Sequence, residues 1–283
     1  MIFIFLSVCC SVFVSVLLKL AKRYEIDTRQ AITWNYSIAG FLTWLIFKPE
    51  IPKFSENIYL VYISLGLLLP LIFVALALSV RYTGIVKTDV AQRLSLFIPV
   101  LAAFLIFEEP YSLMKMVGIL IAFIAIIFSV PWQKHTETSH SYWLYPLVVF
   151  IGMGIIDILF KQIARTENIP FTSSLLVVFT LAFIISILYL LYQTLINGLK
   201  LTVINLICGW ILGIANFGNI IFYLKAHQTL SNQPSVVFSS MNVGVILLGS
   251  AVGVFIFREK LSRLNYAGIV LALISIMILT LAQ

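Results

Sequence analysis

Short polar stretches divide the chain into ten long apolar runs, and this pattern limits the possible folds more than any other feature. A helix needs about 20 apolar residues to cross the hydrocarbon core of a bilayer, and every run is close to that length. We therefore predict an all-α membrane protein with ten transmembrane helices. The predicted spans are 2–19, 30–47, 58–80, 88–107, 112–131, 142–163, 172–195, 203–225, 233–257 and 262–281.

The amino-acid composition excludes a water-soluble domain. Hydrophobic residues make up 61% of the 283 residues and charged residues only 10%, so a soluble fold of this size would expose large apolar patches. The net charge is 18 − 11 = +7. The Lys and Arg residues lie mainly at the ends of the apolar runs, as basic residues beside membrane spans do, and they do not indicate a nucleic-acid surface.

The stretch 106–126 is repeated without gaps at 256–276, at a spacing of 256 − 106 = 150 residues. Apolar helices match by chance at Ile, Leu and Ala, so the evidence for duplication rests on the shared polar and glycine positions. These positions are Glu109 with Glu259, Ser112 with Ser262, and Gly118 with Gly268. A repeat of about half the chain indicates two homologous halves rather than a solenoid.

The duplication divides the chain into a five-helix repeat at 1–131, a polar linker at 132–141 and a second five-helix repeat at 142–283. Because five is an odd number, the second repeat must enter the membrane in the opposite orientation. We therefore predict two inverted five-helix repeats, related by a pseudo-two-fold axis in the membrane plane. Two halves with similar packing energies can rock about a shared site, which is the basis of alternating access.

We interpret the six residues of the repeated motif first as structural, that is, as residues that start helices and let them pack. Its two serines precede apolar runs, where a hydroxyl can accept a hydrogen bond from a free amide of the new helix. Its two glutamates lie close enough to interact with the positive end of the helix dipole, and its two glycines allow a neighbouring helix to approach closely. The alternative is that the glutamates gate the protein or carry protons.

Each half ends in an aromatic-x-Glu-x-x-Ser turn and a helix of Gly, Ile, Leu and Ala, which resembles the EamA-type branch of the drug/metabolite transporter superfamily. In the first half, Ala91, Pro99, Glu109 and Gly118 are similar to the family's Ala…Pro…Glu…Gly progression. In the second half, Gly249 stands where the family has proline, and the first span lacks the Trp-Gly pair of many members. The resemblance implies a transporter. Proteins similar to this family include exporters and importers of amino acids, metabolites, toxic cations and nucleotide-linked sugars.

Ionisable side chains within the spans are functional hypotheses, because each costs about 2.5–3.5 kcal/mol on insertion scales. Asp157 and Lys161 are four residues apart and are predicted to pair; the alternative is that they face a watery cavity and bind substrate. Arg93 lies beside Gln92 and four residues after Asp89. It is deep enough in its span to anchor a carboxylate or a phosphate.

Further uncharged polar residues lie in the eighth and ninth spans. The candidates among them are Asn216, Asn219, Ser239 and Asn242. The resemblance implies a central cavity lined mainly by spans 1, 3, 4, 6, 8 and 9, and all candidate cavity residues fall on that set. The alternative is hydrogen bonding between helices, which contributes about 0.6 kcal/mol on average in membranes.

No enzyme, metal-ligand or cofactor-binding motif occurs in the sequence, so we predict no catalytic residue, no metal and no cofactor. The resemblance therefore implies a secondary-active transporter, specifically an exporter, of amino acids or small polar metabolites. Its predicted partners are the small-molecule substrate, a coupled proton or counter-substrate, and the lipid bilayer. Two alternatives are a membrane-embedded lipid-modifying enzyme and a non-transporting sensor or assembly subunit.

Two arguments about membrane orientation disagree. Twelve Lys and Arg residues lie nearest the odd-numbered connections and six nearest the even-numbered ones, which places both termini outside by the positive-inside rule. The resemblance implies cytoplasmic termini, in the inner membrane of a bacterium. We adopt the second orientation, because half of the excess comes from a cluster around Lys22 that also carries Glu25 and Asp27.

Overall fold

The computed structural model describes residues 1–24, 26–50, 56–83, 85–129, 142, 144–166, 169–256, 258 and 262–282. Glu259 and the polar linker lie outside these ranges. The long elements of the described chain are all helices. They are α1 (Ile2–Arg23), α2 (Thr28–Phe47), α3 (Glu56–Thr83), α4 (Ile85–Leu94), α5 (Phe97–Leu105), α6 (Leu113–Ser129), α7 (Leu144–Arg165), α8 (Phe171–Asn197), α9 (Val203–Thr229), α10 (Pro234–Phe255) and α11 (Arg263–Leu281).

The prediction of an all-helical, multi-pass membrane protein is confirmed. Within the described ranges, α3 and α7 to α11 are six helices long and apolar enough to cross a membrane. Three shorter apolar stretches lie in α1, in α4 with α5, and in α6, and α2 adds a helix of 20 residues. Together these elements account for the ten predicted helical segments.

The fourth predicted span is not one continuous helix, and in this respect the prediction is wrong. The break falls at Ser95 and Leu96, inside the segment predicted as 88–107. Pro99 explains it, because proline has no N–H for the carbonyl four residues earlier and its ring clashes with that carbonyl. The carbonyl of Ser95 instead accepts the N–H of Ile98 at 3.0 Å.

Replacing Pro99 by alanine is expected to join α4 and α5, because an amide at this position can donate to the carbonyl of Ser95. We expect slower hydrogen–deuterium exchange across 95–100 in the variant, measured by mass spectrometry. Gly249→Ala is the control, since Gly249 lies 249 − 99 = 150 residues further on, within the uninterrupted α10. Unchanged exchange in Pro99→Ala would mean that neighbouring helices, and not proline, impose the break.

The two halves of the chain pack against each other along their whole length. α1 lies against α9 and α10, α2 against α8 and α9, α3 against α7 and α8, α4 and α5 against α7, and α6 against α11. Buried apolar residues of both halves therefore form one large core, and a smaller cluster lies between α6, α10 and α11. A site in the middle of this bundle is consequently built from both halves.

Four of the described residues have a left-handed backbone, and they form two pairs at the spacing of the sequence repeat. Lys48 and Gly198 follow α2 and α8, with 198 − 48 = 150. Glu108 and Arg258 follow α5 and α10, with 258 − 108 = 150. This conformation is uncommon for residues other than glycine, so the backbone repeats a distinctive turn geometry at the interval at which the sequence repeats.

Candidate functional site

An open cavity of about 880 Å³ lies at one end of the bundle, between the turn after α5, the α7–α8 connection and the α9–α10 connection. We call this cavity the vestibule. Both halves of the chain line it, so it lies at their contact. Its polar lining residues are Glu108, Lys161, Arg165, Thr166, Gln228, Ser231 and Asn232.

Lys161 lines the vestibule but is only 1% exposed. Its ammonium group donates to the carbonyls of Ser231 at 2.8 Å and His227 at 3.5 Å, at the C-terminal end of α9. It also lies 5.9 Å from the centre of the Phe107 ring. Cations are stabilised at the C-terminal end of a helix, where the last carbonyls carry partial negative charge, so Lys161 ties α7 to the end of α9.

Asp157 lies one turn before Lys161 on α7 and has a different partner. Its carboxylate accepts a hydrogen bond from the hydroxyl of Tyr223 on α9 at 3.0 Å. The predicted pairing of Asp157 with Lys161 is therefore wrong. The spacing of four residues permits a pair, but α9 and the turn after it provide each side chain with a separate partner.

Two asparagines of α9 bond to the first two helices. Asn216 donates to the side-chain oxygen of Asn35 on α2 at 3.2 Å, in a buried contact. Asn219 accepts the hydroxyl of Ser7 on α1, at 2.6 Å through its side chain and at 2.9 Å through its backbone carbonyl. These contacts are of the interhelical kind that the sequence offered as the alternative to substrate binding.

Two serines of α10 are buried, and no described residue is hydrogen-bonded to their hydroxyls. Ser239 is 0% exposed and Ser240 is 2% exposed. Asn242, one turn further on, donates to the carbonyl of Phe238 in its own helix at 3.1 Å. Buried hydroxyls are normally paired, so the two serines retain hydrogen-bonding capacity in the interior of the bundle.

Gln92 and Arg93 lie in the last turn of α4, directly before the break, and both are partly buried. The carbonyl of Gln92 accepts the hydroxyl of Ser95 at 2.6 Å. Arg93 lies at the negative end of the α4 dipole, which favours a cation. Both residues are thus beside an interrupted helix, the kind of backbone that forms substrate and ion sites in many transporters.

Glu109 connects the turn after α5 to the start of α10. Its fully buried carboxylate accepts from the ammonium of Lys115 at 3.0 Å. It also accepts the N–H of Ser235 at 2.8 Å and the hydroxyl of Ser235 at 2.7 Å. Ser235 is in the first turn of α10, so Glu109 interacts with the positive dipole end of a helix in the other half as well as with Lys115 in α6, the helix that follows it.

The remaining described residues of the repeated motif lie on α6 and α11 or directly before them. An added Cβ at Gly118 would be 2.9 Å from a leucine side chain of α11, and the hydroxyl of Ser275 donates to the Gly118 carbonyl at 2.9 Å. Ser262 caps α11, and its hydroxyl accepts a backbone N–H of the first turn at 3.2 Å. Ser112 directly precedes α6, and Gly268 is buried in α11.

Sequence reasoning did not identify the partners that complete these contacts. Apolar periodicity predicts where the helices are but not which helices face each other. Partners on helices distant in the sequence therefore cannot be recognised from a local pattern. One weak signal existed at the start of α10, where a proline followed by a serine is typical of a helix start. The missed residues are Ser7, Asn35, Lys115, Tyr223, His227 and Ser235.

Comparison with known proteins identifies relatives of this chain. Residues 1–130 match the model of the EamA-like transporter family. An uncharacterized protein of Haemophilus influenzae is 40% identical over 279 residues, which are 95% of this chain and 94% of the relative. A protein solved by crystallography shares the fold, with a TM-score of 0.72 and 12% identity over 98% of this chain and 99% of that chain. Residues 1–130, the first of the two predicted repeats, therefore belong to the EamA-like transporter family.

Proposed function

We propose that the protein is a secondary-active transporter that exports amino acids or other small polar metabolites by alternating access. The observation that carries this proposal is the vestibule, which both halves line and which reaches the buried Lys161. Membership in a transporter family supports it. The rocking units would be the five-helix repeats at 1–131 and 142–283, connected by the linker at 132–141.

The pattern of helix contacts supports a two-fold relation between these units, and the odd number of spans in each unit makes that relation an inverted one. A two-fold axis that exchanges the halves requires each contact to have a counterpart. The contact of α2 with α9 has its counterpart in α8 with α3, and that of α1 with α9 in α7 with α3. The contact of α1 with α10 has its counterpart in the contact of α7 with α4 and α5. The contact of α2 with α8 and the contact of α6 with α11 each join equivalent helices, so each is its own counterpart.

The charges in the vestibule favour a zwitterionic substrate. Lys161 and Arg165 supply two cations and Glu108 supplies one carboxylate among the lining residues. An ammonium group has three N–H donors, and the two carbonyls at the end of α9 use two of them. We propose that the third N–H of Lys161 and the Arg165 guanidinium bind a substrate carboxylate, while Glu108 binds a substrate amine.

Replacing Arg165 by glutamine is expected to weaken transport of an amino acid about 10- to 100-fold in kcat/KM, because a charge-assisted hydrogen bond contributes about 1.5–3 kcal/mol. The measurement is uptake of labelled amino acids into proteoliposomes that contain purified protein. Lys200→Gln is the control, since Lys200 is an exposed cation outside the vestibule. Equal transport by Arg165→Gln and the wild type contradicts the proposed site.

We place the vestibule on the cytoplasmic side of a bacterial inner membrane, so that it is open for loading an exporter. Four spans separate Met1 from the turn after α5, which puts the termini and the vestibule on one face if every span crosses. The resemblance favours this orientation, and the Lys and Arg count opposes it. A reporter enzyme fused after Gln283 that is active only outside the cell would exclude it.

A further inference from the structure

The middle of the bundle contains a carboxylate that no described cation neutralises. Asp157 lies on α7, which is surrounded by α3, α4, α5 and α9. Its described polar partner is the neutral hydroxyl of Tyr223 at 3.0 Å. The nearest cation along α7, Lys161, bonds to the carbonyls at the end of α9 instead. A charge within a membrane span is costly, so this arrangement favours a carboxyl group that can take up a proton.

No residue that the structure describes on the helices around Asp157 provides a counter-ion. On α9, the Tyr223 ring meets the fully buried imidazole of His227, with ring centres 4.6 Å apart. On α3, the hydroxyl of Tyr62 is hydrogen-bonded to a serine of α8. Arg93 is in the last turn of α4 and has interactions of its own. The sequence of α5 contains no titratable residue. The tyrosines of α8 lie near its C-terminal end.

Asp157 is also accessible, which a proton site requires. Its side chain is partly exposed, although Ile156 and Phe160 near it on α7 are in the core. One carboxylate oxygen is held by Tyr223. No described residue is hydrogen-bonded to the other oxygen, so that oxygen can take up a proton while the side chain stays in place.

We propose that Asp157, held by Tyr223, is the site at which protons couple to transport. This inference rests on the proposed transport function. A proton from water on one face forms an O–H bond on the free carboxylate oxygen and neutralises the group. After the halves rock, that O–H bond breaks and the proton returns to water on the opposite face. Tyr223 keeps its own proton and donates the same hydrogen bond in both states.

The site can be tested without a substrate by infrared difference spectroscopy of the purified protein in lipid nanodiscs, between alkaline and acidic buffer. Wild-type protein should show the C=O band of a carboxylic acid in an apolar environment, and Asp157→Asn should lose this band. Tyr223→Phe should keep the band and shift it to higher wavenumber, because the carbonyl loses its hydrogen bond. Asp27→Asn is the control, since Asp27 caps α2 at the end of the helix and its removal should leave the band unchanged.

A band that persists in Asp157→Asn, or is missing from the wild type, overturns the proposal. If Asp157→Asn does not fold, an unshifted band in Tyr223→Phe overturns it equally. Coupling is then measured in proteoliposomes with an equimolar mixture of labelled amino acids. An imposed pH gradient should increase accumulation by the wild type, and Asp157→Asn should lose that increase. If the infrared bands behave as expected but no label moves in the wild type, the transport proposal fails and the proton site stands.

Discussion

Replacing Glu109 by glutamine is expected to destabilise the protein by about 3–5 kcal/mol, because the substitution leaves the buried ammonium of Lys115 without its counter-charge. Lys115 is 4% exposed and Glu109 is 3% exposed, so water cannot replace the lost partner. The change also weakens the hydrogen bonds to Ser235 at the start of α10. The measurement is the free energy of unfolding in detergent micelles, by denaturant titration followed through tryptophan fluorescence.

Glu108→Gln is a matched control for this variant. It makes the same change at the preceding residue, whose side chain is exposed, and it should alter the free energy of unfolding by less than about 0.5 kcal/mol. The double variant Glu109→Gln with Lys115→Met should recover much of the loss, because it removes the unpaired buried charge. A single variant as stable as the wild type would mean that water reaches Lys115.

These contacts give Glu109 a structural role that connects the two halves. The turn after α5 belongs to the first half and α10 to the second, and one carboxylate holds both. The same turn contributes Phe107, Glu108 and Pro110 to the vestibule. The bonds of Glu109 therefore fix one wall of the cavity at the contact of the halves, and their loss is expected to change the shape of the vestibule as well as the stability.

The fold was predictable because its signals are local. The length of each apolar run defines a helix in a bilayer, and the repeat of Glu109, Ser112 and Gly118 predicts two related halves. The break before Pro99 was harder to predict from the sequence, since a proline within a membrane helix can also be accommodated by a kink. At Gly249, the equivalent position of the second half, α10 continues without a break.

The contacts of the candidate site were much less predictable, because they depend on which helices face each other. The sequence placed Asp157 and Lys161 on one face of a helix but could not show that Tyr223 and the carbonyl of Ser231 would meet them. Helix spacing constrains partners within one helix only. Partners on other helices are fixed by packing, which depends on small residues whose role becomes visible only when the neighbouring backbone is known.

Gly213 is such a residue, and replacing it by alanine is expected to destabilise the protein by about 1–3 kcal/mol through overpacking. A Cβ at this position would lie 2.6 Å from the carbonyl oxygen of Asn35 on α2 and would overlap the side chain of Ile38. Backbone atoms cannot rotate away, so α2 and α9 must separate. Gly209, one turn earlier, makes a similar approach to α2, as in the small-xxx-small contacts of membrane helices.

Gly249→Ala should change the free energy of unfolding in the opposite direction, which makes the pair of variants a sharp test. An added Cβ at Gly249 meets no atom within 4 Å, so the substitution brings only the helix preference of alanine, worth up to about 1 kcal/mol in favour of the folded state. The free energy of unfolding of both variants distinguishes close packing from a general effect of glycine. Separation of α2 from α9 also lengthens the hydrogen bond between Asn35 and Asn216, so Gly213→Ala should increase hydrogen exchange around these residues. Equal stabilisation by both substitutions would mean that the contact of α2 with α9 can relax at little cost.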